Sequence, residues 1–377
     1  MLKHGRQPSG APVLWSILVG ALLLLGPATG PGHAQSGPGT IRIDTDLVSI
    51  DVSIRREKAN GRPAEATGPD LPRLTAEDFI VREDGVRQRV VSFAATEVPF
   101  NLVLLIDTSG STREDLDLIR RAARRFFDAL RPDDRLAIVQ FNREVELVRD
   151  LTADRARLEQ GLALLQSGTG TSFYDALQLT IEDVLGRVAG RKVIVVLTDG
   201  VDSYGSQTWE KILPIVEAGG TTIHALRLET EAFTRAGMIR DCRDPSHFEF
   251  SAKQLRKYQT GSGRDGSWAR PAAHCRLSAT ERTEINRHLY ETAERELDLL
   301  AGQTDGRVFP VERLTELEEA YLEIASGLRN VYTLSYYPTN ERHDGRWRRL
   351  QVEVRPRDRF GAGLKASTRP GYRAKSP

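Results

Sequence analysis

Two nearly continuous apolar segments, "NLVLLID" ending at Asp107 and "KVIVVLTD" ending at Asp199, place the strongest limit on the fold. Apolar side chains at successive positions are typical of strands that are covered on both faces. Segments with helical spacing of apolar residues alternate with these strands, among them "EDLDLIRRAARRFFDAL" and "QTWEKILPIVEAGG". This alternation predicts an α/β fold, with a doubly wound, mainly parallel sheet flanked by helices, over residues 99–328.

The segments before and after this region predict β structure of another kind. Residues 35–98 contain period-two alternation from Val48 to Ile54 and a hairpin signal at Asp84-Gly85, which indicate a small antiparallel unit. Residues 329–377 contain "VYTLSYYPT", "RWRRLQVEVRP" and "GLKASTRPGY", which we interpret as three strands. We therefore expect a β-rich segment on each side of the α/β domain.

The first residues have the features of a secretory signal peptide. Lys3 and Arg6 precede an apolar run from Val13 to Leu25, and small side chains follow as far as Ala34. The run is shorter than the ~20 residues that a spanning helix needs, so we predict a signal at 1–34 that is cleaved after Ala34. An uncleaved anchor is the alternative. The protein is expected to be exported (secreted, periplasmic or at the cell surface), with no membrane insertion beyond this segment.

Export bears on the two cysteines, Cys242 and Cys275. An oxidising compartment would allow a disulfide between them, and two separate thiols are the alternative. They lie in a charged, glycine-rich segment at about 231–282, which shows little periodicity and is predicted to be an irregular insertion. The formal net charge of +1 gives no electrostatic basis for binding nucleic acid.

Three polar loops follow strands of the predicted sheet, at residues 107–111, 168–172 and 198–200. Ligands of open α/β sheets bind where loops leave the carboxyl ends of the strands. The loops offer carboxylates and hydroxyls without His or Cys, a set of hard oxygen ligands that suits Mg²⁺, Mn²⁺ or Ca²⁺. The alternative is structural, with Ser109 and Ser111 capping the next helix and Asp199 starting a turn. Nearby, Asp202 and Ser203 are interpreted as turn residues, and Asp175 as a cap or a residue that supports the ligands.

This pattern resembles the von Willebrand factor A domain, whose metal-ion-dependent adhesion site contains Asp-x-Ser-x-Ser, then Thr, then Asp. The corresponding residues here are Asp107, Ser109, Ser111, Thr171 and Asp199. Thr169 competes with Thr171 for the third element. The resemblance implies that the hydroxyls bind the ion directly, that the Asp residues act largely through water, and that an acidic side chain of a partner completes the shell.

The flanking segments also resemble those of the bacterial secreted "VWFA-related" family. That resemblance implies that both chain ends build one small β domain, with residues 329–377 packing against residues 40–98. The domain organisation is then a signal at 1–34, β segments at 35–98 and 329–377, and the α/β domain with its insertion between them.

The resulting functional hypothesis is an exported binding module that grips a protein partner through a divalent ion, with Mg²⁺ as the first choice. The alternatives are a scaffold whose metal only stabilises the fold and, less favoured, a metal-dependent hydrolase. We predict that the chain is not an enzyme, because it has no phosphate-binding glycine loop ending in Lys-Ser/Thr, no G-x-S-x-G elbow and no H-E-x-x-H.

Overall fold

The computed structural model describes residues 47–56, 74–94, 99–244, 248–262, 276–328, 331–355 and 364–376. The described strands are β1 (Val48–Arg56), β2 (Phe79–Glu83), β3 (Val86–Gln88), β4 (Val90–Ala94), β5 (Phe100–Asp107), β6 (Arg135–Phe141), β7 (Val145–Thr152), β8 (Arg191–Thr198), β9 (Thr222–Leu228), β10 (Val308–Val311), β11 (Val331–Tyr336), β12 (Trp347–Val354), β13 (Leu364–Ser367) and β14 (Gly371–Arg373). The described α-helices are α1 (Leu116–Ala129), α2 (Arg155–Leu164), α3 (Phe173–Gln178), α4 (Trp209–Gly219), α5 (Glu231–Met238), α6 (Ala252–Ser262), α7 (Ala279–Gln303) and α8 (Leu317–Gly327).

The central sheet has the strand order β10-β9-β8-β5-β6-β7. Its strands run parallel except for β7, which forms an antiparallel pair with β6. The predicted doubly wound, mainly parallel sheet is therefore confirmed. Because β5 and β8 are neighbours in the middle of the sheet, their carboxyl ends, at Asp107 and Thr198, lie side by side.

The helices cover both faces of this sheet, which explains why β5 is apolar at successive positions. Leu102, Leu104 and Ile106 of β5 pack on one side in a core that includes residues of α1, α2 and α8. Val103 and Leu105 pack on the other side with residues of α3, α4 and α7. Because both faces of β5 are buried, its sequence does not show the alternation of apolar and polar residues that is typical of a strand with one face in solvent.

The segments from the two ends of the described chain pair with each other. Strand β1 forms an antiparallel pair with β11, and β2 with β12, in two four-stranded sheets ordered β13-β1-β11-β4 and β14-β12-β2-β3. Apolar side chains from both sheets share one core, including Val52, Phe79, Leu334 and Leu350. The predicted small β domain from both flanks is confirmed, although its C-terminal part has four strands and not three. The turn at Pro370 separates β13 from β14.

The β domain contacts the amino-terminal ends of the strands of the central sheet, where β8 begins. Arg191, the first residue of β8, donates from Nη1 to the carbonyl oxygen of Leu328 at 2.8 Å and forms an ion pair with Asp51 of β1. Asp305, after α7, accepts hydrogen bonds from the hydroxyls of Ser53 and Ser367. The carboxyl-terminal edge of the sheet is thereby left to the polar loops.

The prediction that residues 231–282 are irregular is wrong for the part that the structure describes. This segment contains α5 and α6, and α7 starts within it at Ala279. Phe250 and Leu255 pack with Leu289 of α7 and with Val201, close behind Asp199 in the chain. The helices α5 and α6 have only 8 and 11 residues, against 25 in α7, so each repeats the helical period too few times to stand out in a charged, glycine-rich segment.

Candidate metal centre

Backbone hydrogen bonds hold the polar loops together at the carboxyl-terminal edge of the sheet. The amide of Gly168 donates to the carbonyl oxygen of Thr108 at 2.8 Å, and the amide of Ser172 donates to the carbonyl oxygen of Asn142 at 2.7 Å. The amide of Ser203 donates to the carbonyl oxygen of Thr171 at 2.9 Å. The loops after β5, β6 and β8 and the loop before α3 therefore form one connected surface.

Asp107 lies at the bottom of this surface with 1% of its area exposed. Its Oδ2 accepts a 2.7 Å hydrogen bond from the hydroxyl of Thr198, and its Oδ1 accepts a 2.9 Å bond from the amide of Ser109. Burial, followed by repulsion from Asp199, raises the pKa of Asp107 to about 7. The two predicted acidic residues are thus close enough to affect each other.

Asp199 is also buried and is held by donors from distant parts of the chain. Its Oδ1 accepts from the amide of Val201 at 3.0 Å. Its Oδ2 accepts from the hydroxyl of Thr230 at 2.6 Å and from the phenol of Tyr290 at 3.3 Å. Burial raises the pKa of Asp199 above its usual range, and these hydrogen bonds oppose the shift.

Among the hydroxyl residues, the structure separates the two competing threonines by exposure. Thr171 is 7% exposed, whereas Thr169 lies on the surface. The amide of Thr171 donates to the hydroxyl of Ser203 at 2.9 Å, so the loop after β8 fixes the position of its backbone. Thr171 is therefore the threonine that we retain as a ligand candidate.

The structure tests the alternative that the serines cap the next helix for Ser109 but not for Ser111. Ser109 occupies the position before a 3₁₀ turn over Gly110–Asp115, but its side chain makes no capping hydrogen bond. Its hydroxyl instead interacts with Asp107 and lowers the pKa of that carboxyl, against the larger effect of burial. Ser111 lies in the same turn, and its side chain is outside the described part of the structure.

The donor set fits a hard divalent cation. Two buried carboxylates share one site, and within the described residues neither forms an ion pair with Lys, Arg or His, so their charge is uncompensated. The same described residues hold no cluster of three or more His, Cys, Asp or Glu side chains that could bind a metal. An ion here would therefore depend on hydroxyls as well as carboxylates, which suits Mg²⁺ or Mn²⁺ better than a soft metal.

The neighbours of the candidate ligands differ in how well they match their predicted roles. Asp175 accepts from the amides of Ser206 and Gln207 at 2.8 Å each and so supports the loop after β8. Asp202, interpreted above as a turn residue, has only 2% of its area exposed and forms an ion pair with Lys253 of α6. Burial raises the pKa of Asp202 to about 6, against the opposing charge of Lys253.

Sequence reasoning placed Thr198 in a polar loop without giving it a role, and it did not identify Thr230 or Tyr290, the other side chains that position the two carboxylates. Thr198 directly precedes Asp199, and its place at the end of a buried strand was a usable signal. Thr230 and Tyr290 carry no such signal, because they come from α5's start and α7 and reach Asp199 only through the packing of those helices.

Several predictions concern parts of the chain that the structure does not describe. The signal at 1–34 and Cys275 lie outside the described residues, so the cleavage site and the Cys242–Cys275 disulfide stay predictions. Within the described residues, no helix has the length and apolar character needed to cross a membrane.

Comparison with known proteins supports a family for the α/β region. Residues 102–201, which include all five candidate ligands, match the sequence model of the von Willebrand factor type A domain. An uncharacterized protein of Synechocystis sp. is 27% identical over 172 residues, and this match spans 42% of the chain but only 41% of that protein.

Solved structures with a similar arrangement share little sequence with the chain. A von Willebrand factor type A protein from Catenulispora acidiphila has 12% identity and a TM-score of 0.41, over 88% of this chain and 74% of its own. The conserved hypothetical protein BatB from Bacteroides thetaiotaomicron has 15% identity and a TM-score of 0.37, over 60% of this chain and 98% of its own.

Proposed function

Because residues 102–201 match the sequence model of the von Willebrand factor type A domain, we propose that the chain is an exported module that binds a protein partner through a divalent ion. The ion would be held by Asp107, Ser109, Ser111, Thr171 and Asp199. When bound, it would supply a Lewis-acidic position that accepts an oxygen from the partner. The chain's own residues orient and bury the ligands.

One observation carries this proposal. Asp107 and Asp199 are buried side by side at the carboxyl-terminal edge of the sheet, with hydroxyl donors around them and no basic partner in the described residues. Burial of two like charges is costly unless a counter-charge is supplied. A divalent cation would supply it.

In the scaffold alternative, the same carboxylates bind the metal ion, but the ion only stabilises the fold and no partner binds to it. The enzyme alternative is less favoured because the sequence has no phosphate-binding glycine loop ending in Lys-Ser/Thr, no G-x-S-x-G elbow and no H-E-x-x-H. We therefore keep the scaffold as the second candidate and propose that the protein is not an enzyme.

The experiment is a thermal melt of the protein from Gln35 onward, in Mg²⁺, Mn²⁺ or EDTA. A ligand that binds only the folded state raises the free energy of unfolding by roughly 2.7 kcal/mol when its concentration is 100 times its Kd. Mg²⁺ should therefore raise the Tm of the wild type. Asp107→Asn keeps the shape of the side chain and should lose this rise, whereas Asp128→Asn on the exposed face of α1 should keep it. Equal Tm values for the wild type in Mg²⁺ and EDTA would overturn the metal site.

A further inference from the structure

Beside the candidate metal centre, an arginine and a tyrosine form an exposed pair. The guanidinium carbon of Arg143, in the turn between β6 and β7, lies 4.8 Å from the centre of the Tyr204 ring. We propose that this pair, the Arg143–Tyr204 rim, is a second contact site for the partner and binds an acidic peptide segment. The proposal rests on the proposed function and names the chemistry of the partner.

The charge of Arg143 has no acidic partner in the part of the chain that the structure describes. Within the described residues, the guanidinium forms no ion pair and no hydrogen bond, and it lies against the ring of Tyr204. Glu144, its neighbour in the turn, is exposed and makes no ion pair with it. An exposed arginine without a partner, fixed over an aromatic face, keeps its donors available for a carboxylate from outside.

Tyr204 is held in place although 37% of its area is exposed. Its amide donates to the carbonyl oxygen of Thr171 at 2.9 Å, and its own carbonyl oxygen accepts from the ammonium of Lys253 at 2.6 Å. Its ring packs against Gly170, where a methyl group would overlap the ring carbons. Tyr204 is therefore pre-organised by the loop before α3 and by α6, and binding would cost little ordering of this side chain.

These contacts also place the rim next to the candidate ligands. Gly170 directly precedes Thr171, and the Tyr204 amide is bonded to Thr171 itself. Arg143 is tied to the same loop, because its amide donates to the carbonyl oxygen of Thr169 at 3.0 Å. A segment that reached the metal centre would thus meet the rim beside it.

The chemistry of the surface selects an acidic segment. A divalent ion and a guanidinium at neighbouring positions present two cationic groups, and each suits a carboxylate. Tyr and Arg are also among the residue types that most often dominate the energy of protein interfaces. A peptide with carboxylates on successive residues would satisfy both positions and pack its backbone on the exposed Tyr204 ring.

The test uses a fluorescent hexaglutamate peptide as the probe, and anisotropy in excess Mg²⁺ or in EDTA, with the protein from Gln35 onward. We expect Mg²⁺-dependent binding that Arg143→Gln weakens roughly fivefold, the size expected for one exposed charge contact. Arg121→Gln, which removes the same charge from the exposed face of α1, should bind as the wild type. Tyr204→Phe should retain affinity and Tyr204→Leu should lose it, because the aromatic face is the contact.

The outcomes separate this inference from the proposed function. The inference is overturned if Arg143→Gln binds as tightly as Arg121→Gln, if hexaglutamine binds as well as hexaglutamate, or if an oligonucleotide with six phosphates binds equally. A Mg²⁺-induced rise in Tm without binding of hexaglutamate overturns this inference alone. A missing rise in Tm on the same samples overturns both.

Discussion

The phenol of Tyr290, in α7, donates a 3.3 Å hydrogen bond to the carboxylate of Asp199, which lies 91 positions earlier in the chain. The same phenol is 2.9 Å from the hydroxyl of Thr230 and 2.7 Å from that of Thr234. Thr230 is itself bonded to Asp199. Asp199 is thus oriented by two hydroxyl groups from distant elements. Thr230 directly precedes α5, and Tyr290 belongs to α7.

Thr230→Val tests this orientation. The change removes the 2.6 Å bond to the buried Asp199, and a hydrogen bond to a charged group contributes about 1.5–3 kcal/mol. We expect a lower free energy of unfolding by urea in EDTA and weaker binding of Mg²⁺ in thermal melts. Thr234→Val is the matched control, because Thr234 contacts Tyr290 and not Asp199. Equal Mg²⁺ affinity in the two variants would contradict the role given to Thr230.

Gly170→Ala tests the approach of Tyr204 to the loop before α3. Gly170 has a φ of 71°, which is unfavourable for an alanine, and the new methyl group would overlap the Tyr204 ring. We expect a loss of stability of more than about 1 kcal/mol, measured by urea unfolding. Gly85→Ala is the control, because Gly85 also has a positive φ, of 83°, and its methyl group would meet nothing within 4 Å. If both variants unfold at the same urea concentration, the Tyr204 ring does not pack on Gly170.

The pKa of Asp107 predicts how the metal-free protein responds to pH. This pKa is raised from 3.8 to about 7 in the folded state, so between these values the folded state holds more protons than the unfolded state. Stability should therefore fall as the pH rises through this window and stay low above about pH 7. Asp199 and Asp202 act in the same direction, because their pKa values are raised as well.

Melting in EDTA from about pH 5 to about pH 8 measures this effect, and Asp107→Asn isolates the part due to Asp107. The wild type should lose more Tm than the variant across the range. The rise in Tm produced by Mg²⁺ should be largest at the upper end, where the carboxylates are ionised. Parallel curves for the two proteins would show that Asp107 titrates as it does in the unfolded chain.

The ion pair between Lys253 and Asp202 predicts a large effect of a single substitution. Lys253→Met leaves the buried Asp202 without its counter-charge, and breaking a buried pair costs about 3–5 kcal/mol. Lys253 also donates to the carbonyl oxygens of Tyr204 and Gln207, at 2.6 and 2.7 Å. We expect urea unfolding to detect a loss of about 3 kcal/mol.

The double variant Lys253→Met with Asp202→Asn supplies the control for this prediction. Without the buried charge, part of the lost stability should return, as expected for two coupled residues. If the loss of stability in the double variant equals the sum of the losses in the two single variants, the two residues act independently. In that case the contacts of Lys253 with the loop carbonyls, and not the ion pair, would explain its effect.

Local patterns in the sequence were enough to predict the central fold and the position of the site. The apolar runs of β5 and β8 indicated strands covered on both faces. The helical spacing of the segment around Phe126 and Phe127 predicted α1, one of the helices that cover them. Since such strands end at one edge of a parallel sheet, the sequence alone was enough to expect Asp107 and Asp199 near each other. The insertion was harder to predict, because α5 and α6, with 8 and 11 residues, are short and lie in a charged, glycine-rich segment.

What the sequence by itself determined is therefore the set of elements and the type of ligand, because burial on one or two faces and the choice of carboxylate and hydroxyl side chains are local properties. Only the tertiary structure decided which distant groups complete the site. Thr230 and Tyr290 at Asp199, Lys253 at Asp202 and Arg143 over Tyr204 meet only after the helices and loops have packed. The physical reason is that a buried polar group needs a partner, and the partner is supplied by whichever part of the folded chain lies next to it.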